Sequence, residues 1–273
     1  MKSPVAVLRL PPDILPTDAR HVQIFCQSLF LLVGIGWLGW QVHAFHFALT
    51  FAACLFFQHA IEKRFVAKPG SWKSATISAL SLCLMMKANA WWAVVLCALF
   101  TIGSKFFIRY KGRHVFNPTN FGIMVTLLLT GEVWVSPGRW GSALFFLILL
   151  GALSAAVLFR VGRMETALSF LGTFAALHFA RSILYQGWPA DYFIHQLSSG
   201  TLLLFTFFMI TDPMTTPVHP KARIIWAALT GTLAFYLSTI YYVHTAPLWA
   251  LLVMSPFTLL FNHFFRHERF QWR

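Results

Sequence analysis

The sequence predicts an all-α integral membrane protein of about ten transmembrane helices, in two inverted five-helix repeats with short helices 3 and 8. Three observations lead there. Of the 273 residues, 58% are hydrophobic and 11% charged, against about 25% charged in soluble domains. Apolar runs near the roughly 20 residues needed to cross a bilayer fill most of the chain, at about 22–42, 44–61, 75–87, 89–106, 118–131, 139–159, 164–181, 198–212, 222–243 and 246–263. The basic residues then alternate between the connections. With the N-terminus inside, 18 of the 21 Lys and Arg fall on the inner side, and only Lys87, Arg139 and Arg181 fall outside. Lys and Arg concentrate on the cytoplasmic side of membrane proteins, so both termini are expected to be cytoplasmic.

The expected organisation is a tail over 1–21, one transmembrane domain over 22–263 and a tail over 264–273. The first half of that domain runs about 22–131 and the second about 139–263. The opening stretch is broken by prolines and has no small-residue cleavage site before the first apolar run, so it reads as a tail and not as a signal peptide. The net charge of +13 fits inner loops facing anionic lipid, and no nucleic-acid partner is expected. Cys26, Cys54, Cys83 and Cys97 lie in apolar runs without C-x-x-C spacing and read as buried thiols.

The repeat rests on an internal echo. "SATISALSLCLMMK" from Ser74 and "SGTLLLFTFFMITD" from Ser199 align at an offset of 125 residues. Each begins with Ser, a small residue and Thr (Thr76, Thr201), runs apolar, and closes on one charge, Lys87 or Asp212. These are segments 3 and 8, which cross in opposite senses. Short helices in matching positions of an inverted repeat mark the site at its interface.

Segment 8 stops at Asp212 because Pro213 lacks an N–H and restrains the residue before it. The stretch "YKGRHVFNPTNFG" precedes segment 5. Asn117 caps there and Pro118 fits the first helical position, which leaves Thr119 and Asn120 in the first turn. Free amides at that helix start suit a polar ring or an anion. A well-capped helix beneath a basic surface loop accounts for the motif equally. In "KPGSWKSAT", Gly70 permits a tight turn and Ser71 or Ser74 can cap segment 3. His59 and His178 are the histidines well inside the segments, with no second pair at facing depths for a haem. No acid lies deep in a segment, so a carboxylate proton wire is not supported. No Walker loop, hydrolase constellation or H-E-x-x-H motif occurs. Taken alone, the residues describe an inverted-repeat membrane protein with an inner polar site, which a transporter also satisfies.

"GRHVFNPTNFG" and "SGTLLLFTFFMITDPMTTP" together resemble motifs of the membrane subunits NqrB, of the sodium-pumping NADH:quinone oxidoreductase, and RnfD, of the Rnf complex. The resemblance runs over most of 60–260. "SALSLCLMMKAN", "VWVSPGRWGSA" and "FFMITDPMTTP" are closer still to the RnfD-like UnbU proteins. It implies ten spans in two repeats, a multi-pass place in the bacterial inner membrane, and an electron-transfer subunit carrying flavin. Its partners would be other membrane or extracytoplasmic redox subunits, besides the lipid bilayer.

In NqrB and RnfD one FMN is linked to the Thr of an S-G-A-T motif, and riboflavin can occupy a second site. No S-G-A-T occurs here, and Ser199-Gly200-Thr201 matches a helix start of the family instead. The resemblance therefore implies a non-covalent flavin, riboflavin or FMN, near Asn117, Thr119, Asn120, Ser74, Thr76, Thr201, Thr211 and Asp212. Two other readings use the same architecture: a solute or ion transporter, and a membrane anchor for an extracytoplasmic redox partner.

Overall fold

The computed structural model describes residues 18–40, 42–65, 71–135, 151, 154–155, 158–159 and 161–265. The chain enters its first helix, α1 (Ala19–Gly36), through Asp18, whose carboxylate accepts from Arg20 N at 3.0 Å. The same carboxylate accepts from Lys73 Nζ at 2.9 Å, which pins the start of α1 to the start of α3 (Trp72–Met85). Between them runs α2 (Ala44–Phe65), with Lys63 and Arg64 in its last turn, the favoured place for cations on the helix dipole.

Helix α3 opens on Ser71, as a cap should. Its 14 residues span about 21 Å at 1.5 Å each, short of a bilayer core of about 30 Å. Every residue from Ser78 to Met85 is buried, with α1 and α2 packed against the helix. The chain then extends as β1 (Met86–Ala88) and enters α4 (Trp91–Phe107).

After α4 comes a tight hairpin, β2 (Arg109–Tyr110) and β3 (Arg113–His114). Lys111 and Gly112 turn it with φ of 48° and 81°, the positive pair that a two-residue hairpin of this hand requires. Helix α5 (Pro118–Thr130) follows and stops on Gly131, at φ 66°, the left-handed residue that commonly closes a helix. Strand β4 (Val133–Val135) then pairs antiparallel with β1, Lys87 opposite Trp134.

In the second half, α6 (Met164–Phe179) widens into a π-helical turn over Ala180–Tyr185, and a short α7 (Ala190–Leu197) follows. Helix α8 (Gly200–Leu204) widens in the same way over Phe205–Met209. The remaining helices are α9 (Pro220–Thr239), α10 (Ala246–Met254) and α11 (Thr258–Phe264). The last two meet at 46°, where Pro256 removes a backbone donor. The most extensive packing joins α6 to α9, α4 to α5, α2 to α4 and α9 to α10.

Every predicted segment holds helical residues, the sixth at 151, 154–155 and 158–159 among those described, although 86–88 is strand and not the end of helix 3. The apolar run there finds a cross-strand partner at 133–135. The sixth segment, 139–159, and the tails to residue 17 and from 266 lie largely outside the described residues. Three helices, Ala19–Gly36, Ala44–Phe65 and Met164–Tyr185, are long and apolar enough to cross a membrane, and the bent α10–α11 pair makes a fourth. Their outward faces are apolar too, with Phe25, Leu32, Phe56 and Leu184 more than 60% exposed. Helices apolar on all sides belong in lipid, and this is a multi-pass membrane protein.

Candidate functional site

The two polar motifs meet in space. Asn117 Oδ1 caps α5 by accepting from Asn120 N at 3.1 Å. Its amide Nδ2 donates to Met209 O at 3.2 Å and lies 3.5 Å from Asp212 Oδ2. Asp212 Oδ1 accepts from Met214 N at 2.9 Å, a turn closed around Pro213. Arg113 Nη2 donates to Pro213 O at 2.8 Å and to Thr216 O at 2.6 Å. The β2–β3 hairpin and the 213–216 segment therefore share one end of the bundle.

A cavity of about 140 Å³ lies beside this junction, lined by residues of α1, α3, α4, α5, the π-helical turn of α8 and the segment after it. Ser74, Asn117, Thr119, Thr211 and Asp212 line it, as do Lys105 and His114. Apolar walls come from Ile77, Leu158, Val161, Phe207, Phe208 and Met209. The structure thus gathers five of the eight sequence-predicted residues around one space.

The other three lie elsewhere. Thr76 Oγ1 donates to Trp72 O on its own helix. Asn120 Nδ2 donates to Leu248 O at 3.0 Å, joining α5 to α10. Thr201 sits in the first turn of α8 and does not line the cavity.

Lys105 is the residue that sequence reasoning missed. Counted there as an inner-loop charge, it occupies the last turn of α4 at 5% exposure. Its Nζ donates to Ser74 O at 2.8 Å and to Ser74 Oγ at 3.1 Å. An ammonium has three donors, so one is left for the cavity. The signal lay in periodicity. Cys97, Thr101 and Lys105 recur every four residues on the buried face of α4, which marks Lys105 as inward-facing.

The approach is basic. Burial pushes His114 down to about 3, and the charges of Lys105, Arg109 and Arg113 push the same way, against a hydrogen bond to the Lys105 backbone. His114 is therefore neutral at physiological pH.

Other candidate groups stay apart. His59 is exposed on α2, and His178 packs between Phe174 and Phe235. The four cysteines are buried free thiols. Among the described residues no cluster of His, Cys, Asp or Glu is placed to hold a metal ion. Glu62, at the end of the second predicted segment, is buried on α2 and accepts from Gln58 Nε2.

A model of the NQR2, RnfD, RnfE family matches residues 125–271. That interval contains the Asp212-Pro213 stretch and begins just after the Asn117 motif. The chain is also similar to the RnfD proteins of ion-translocating oxidoreductase complexes. It is 34% identical to that of Stutzerimonas stutzeri over 50% of this chain and 38% of the relative. The figures are 30% identity, 48% and 36% for Halorhodospira halophila, and 34%, 26% and 20% for Tolumonas auensis. The aligned stretches span well under half the length of these relatives. With more than half of its residues matched by the one model, and its two polar motifs joined at a single cavity, the chain is a member of the NQR2, RnfD, RnfE family.

Proposed function

We propose that the chain is a membrane-embedded electron-transfer subunit of an Rnf/Nqr-like redox assembly, holding riboflavin or FMN non-covalently at the cavity between α3, α5 and α8. One observation carries the reading: Lys105, Asn117 and Asp212 converge on a single cavity whose remaining lining combines hydroxyl groups, among them Ser74, Thr119 and Thr211, with an apolar wall at Ile77, Phe207, Phe208 and Met209. A flavin ring has a polar edge of two carbonyls and an N–H, and apolar faces. The remaining Lys105 donor is suited to a carbonyl, and the Asp212 carboxylate, which the Asn117 amide holds in place, is an acceptor suited to the N–H. The donor set fits. At about 140 Å³, against roughly 300–1,000 Å³ for sites of small organic ligands, the cavity in this form admits that polar edge alone. Its wall at Leu158 and Val161 belongs to a stretch of which only some residues are described.

Bound flavin supplies one- and two-electron transfer. The chain's part is to orient the ring and set its surroundings. Ser74 holds the Lys105 ammonium in place through two hydrogen bonds, and a fixed positive charge in a low-dielectric site favours an electron-rich ligand. Asn117 ties the α5 side of the site to the α8 side. With no S-G-A-T sequence present, attachment is taken to be non-covalent.

The same reading takes ten crossings in two inverted five-helix repeats. Packing supports it: the contacts of α2 with α4 and α4 with α5 have counterparts, five segments on, in α6 with α9 and α9 with α10. Both α5 and α10 also begin with Pro in the first turn. The basic residues then put the cavity end on the cytoplasmic side of the bacterial inner membrane. The relatives are named as parts of ion-translocating oxidoreductase complexes, so donor and acceptor are assigned to partner subunits. The test is the visible absorption spectrum of the detergent-purified chain. Flavin bands that bleach on chemical reduction and return in air are expected. A colourless protein that stays colourless after incubation with riboflavin or FMN rules the reading out.

A further inference from the structure

A second, larger cavity of about 460 Å³ lies at the same end of the bundle, between the β2–β3 hairpin, the 214–218 segment and the α10–α11 bend. Its volume lies within the range of small-ligand sites. Lys111, Arg113 and His263 line it, with no Asp or Glu among its lining residues. Two buried polar atoms of the lining residues, His114 Nδ1 and Thr258 Oγ1, meet no hydrogen-bond partner among the described residues. Leaving a buried donor or acceptor unmade costs about 1–3 kcal/mol, so such atoms mark the place of a missing partner.

The two atoms are chemically distinct. The His114 ring hydrogen-bonds to the Lys105 backbone. A neutral imidazole that donates to a carbonyl through Nε2 leaves Nδ1 as an acceptor. The Thr258 hydroxyl can donate. The hairpin is held in place by the Arg113 bonds to Pro213 O and Thr216 O, so the basic groups stand on a braced support.

We propose that this cavity binds a phosphate monoester or inorganic phosphate. Cationic groups attract the charge, the Thr258 hydroxyl donates to a phosphate oxygen, and His114 Nδ1 accepts from a P–OH. A monoester retains that proton in part near neutral pH, its second pKa being about 6. Sulfate carries no such proton, so the site discriminates phosphate from sulfate. A soluble phosphorylated compound and a phosphatidate headgroup present the same group. The inference does not rest on flavin, because the site needs none.

The test is thermal unfolding of the full chain in phosphatidylcholine nanodiscs at pH 6.5, in phosphate and in sulfate of equal ionic strength. Phosphate is expected to raise the midpoint above that in sulfate by about 2 °C or more near saturation. Thr258→Val and Lys111→Ser should each remove at least half of that difference and leave the sulfate baseline in place. Lys111 is exposed, so its variant keeps the test valid if Thr258→Val fails to fold. Equal midpoints in the two salts, or an undiminished difference in the variants, overturn the proposal. Repeating the series with phosphatidate in the bilayer identifies the source. Loss of the response to added phosphate assigns the site to the headgroup, and its persistence assigns it to the soluble compound; either result supports the site.

Discussion

Asn117 reaches Met209 across 92 positions of sequence, its Nδ2 donating to the carbonyl at 3.2 Å. One amide thereby does two jobs, because its Oδ1 also caps α5. Substitution separates them. Asp is as good a cap as Asn, so Asn117→Asp keeps the helix start. It loses the donor to Met209 and sets a second carboxylate beside Asp212 Oδ2, now 3.5 Å from the amide. Asn117→Ser keeps the cap and adds no charge. Both should unfold at lower temperature in detergent than wild type, with Asn117→Asp lower than Asn117→Ser, by about 1–3 kcal/mol. An Asp variant as stable as wild type would show that the cross-connection contributes nothing.

Lys105 should decide ligand retention. Lys105→Met removes the charge and both bonds to Ser74, whereas Ser74→Ala removes only the 3.1 Å contact and keeps the 2.8 Å bond to the carbonyl. A hydrogen bond to a charged group contributes about 1.5–3 kcal/mol, roughly tenfold to a hundredfold in affinity. Equilibrium dialysis against riboflavin should show a loss of that size in Lys105→Met and a smaller one in Ser74→Ala. Equal affinities in all three proteins would remove Lys105 from the site.

Gly122 sets the separation of α4 and α5. A Cβ there would overlap Thr101 Oγ1 and lie 2.9 Å from Cys97 O. Gly122→Ala should therefore destabilise by about 1–3 kcal/mol, as overpacking does. Adding Thr101→Ala should restore only part of the loss, since the Cys97 carbonyl remains in the way. Full rescue by the double variant would mean that the side-chain clash alone limits the approach.

His114 makes stability depend on pH. Its folded value, about 3, lies below the ordinary 6.5, so below pH 6.5 the unfolded chain binds a proton that the folded chain refuses. Stability then falls as pH drops from about 6.5 towards 3. Above pH 6.5 the ring is neutral in both states and contributes no slope. His114→Gln should flatten this part of a chemical-denaturation series between pH 7 and 5. A slope identical to wild type would assign the acid sensitivity to other groups.

Hydropathy made the helices legible, because an apolar run has little else to be in a membrane. The start of α5 was legible from Asn117-Pro118, where the cap and the fixed φ of proline act locally. The stop at Asp212-Pro213 was legible in kind but not in place, since the helix ends at Met209 and a side-chain turn fills the rest. The β1–β4 pairing was not legible, because its partners lie far apart in sequence and each strand is only three residues long, too short for alternation to stand out. The echo between Ser74 and Ser199 pointed to two short helices, yet it could not tell which residues face the cavity. At about 100° per residue, Ser74, Ser78 and Ser81 share the cavity face, and Thr76 falls on the far side. Lys105 was hidden by the basic run that follows it, where charge suggested a loop and the four-residue spacing from Cys97 went unread.

A flavin held without a covalent link leaves the chain when the fold is lost. The deciding quantity is the amount of flavin released per chain when the purified, flavin-saturated protein is denatured and freed of detergent. Near-stoichiometric release into the protein-free fraction is expected, with none left on the polypeptide and a marked drop in Lys105→Met. Flavin that stays with the denatured chain would contradict the non-covalent assignment, and the absence of flavin from both fractions would contradict the redox reading itself.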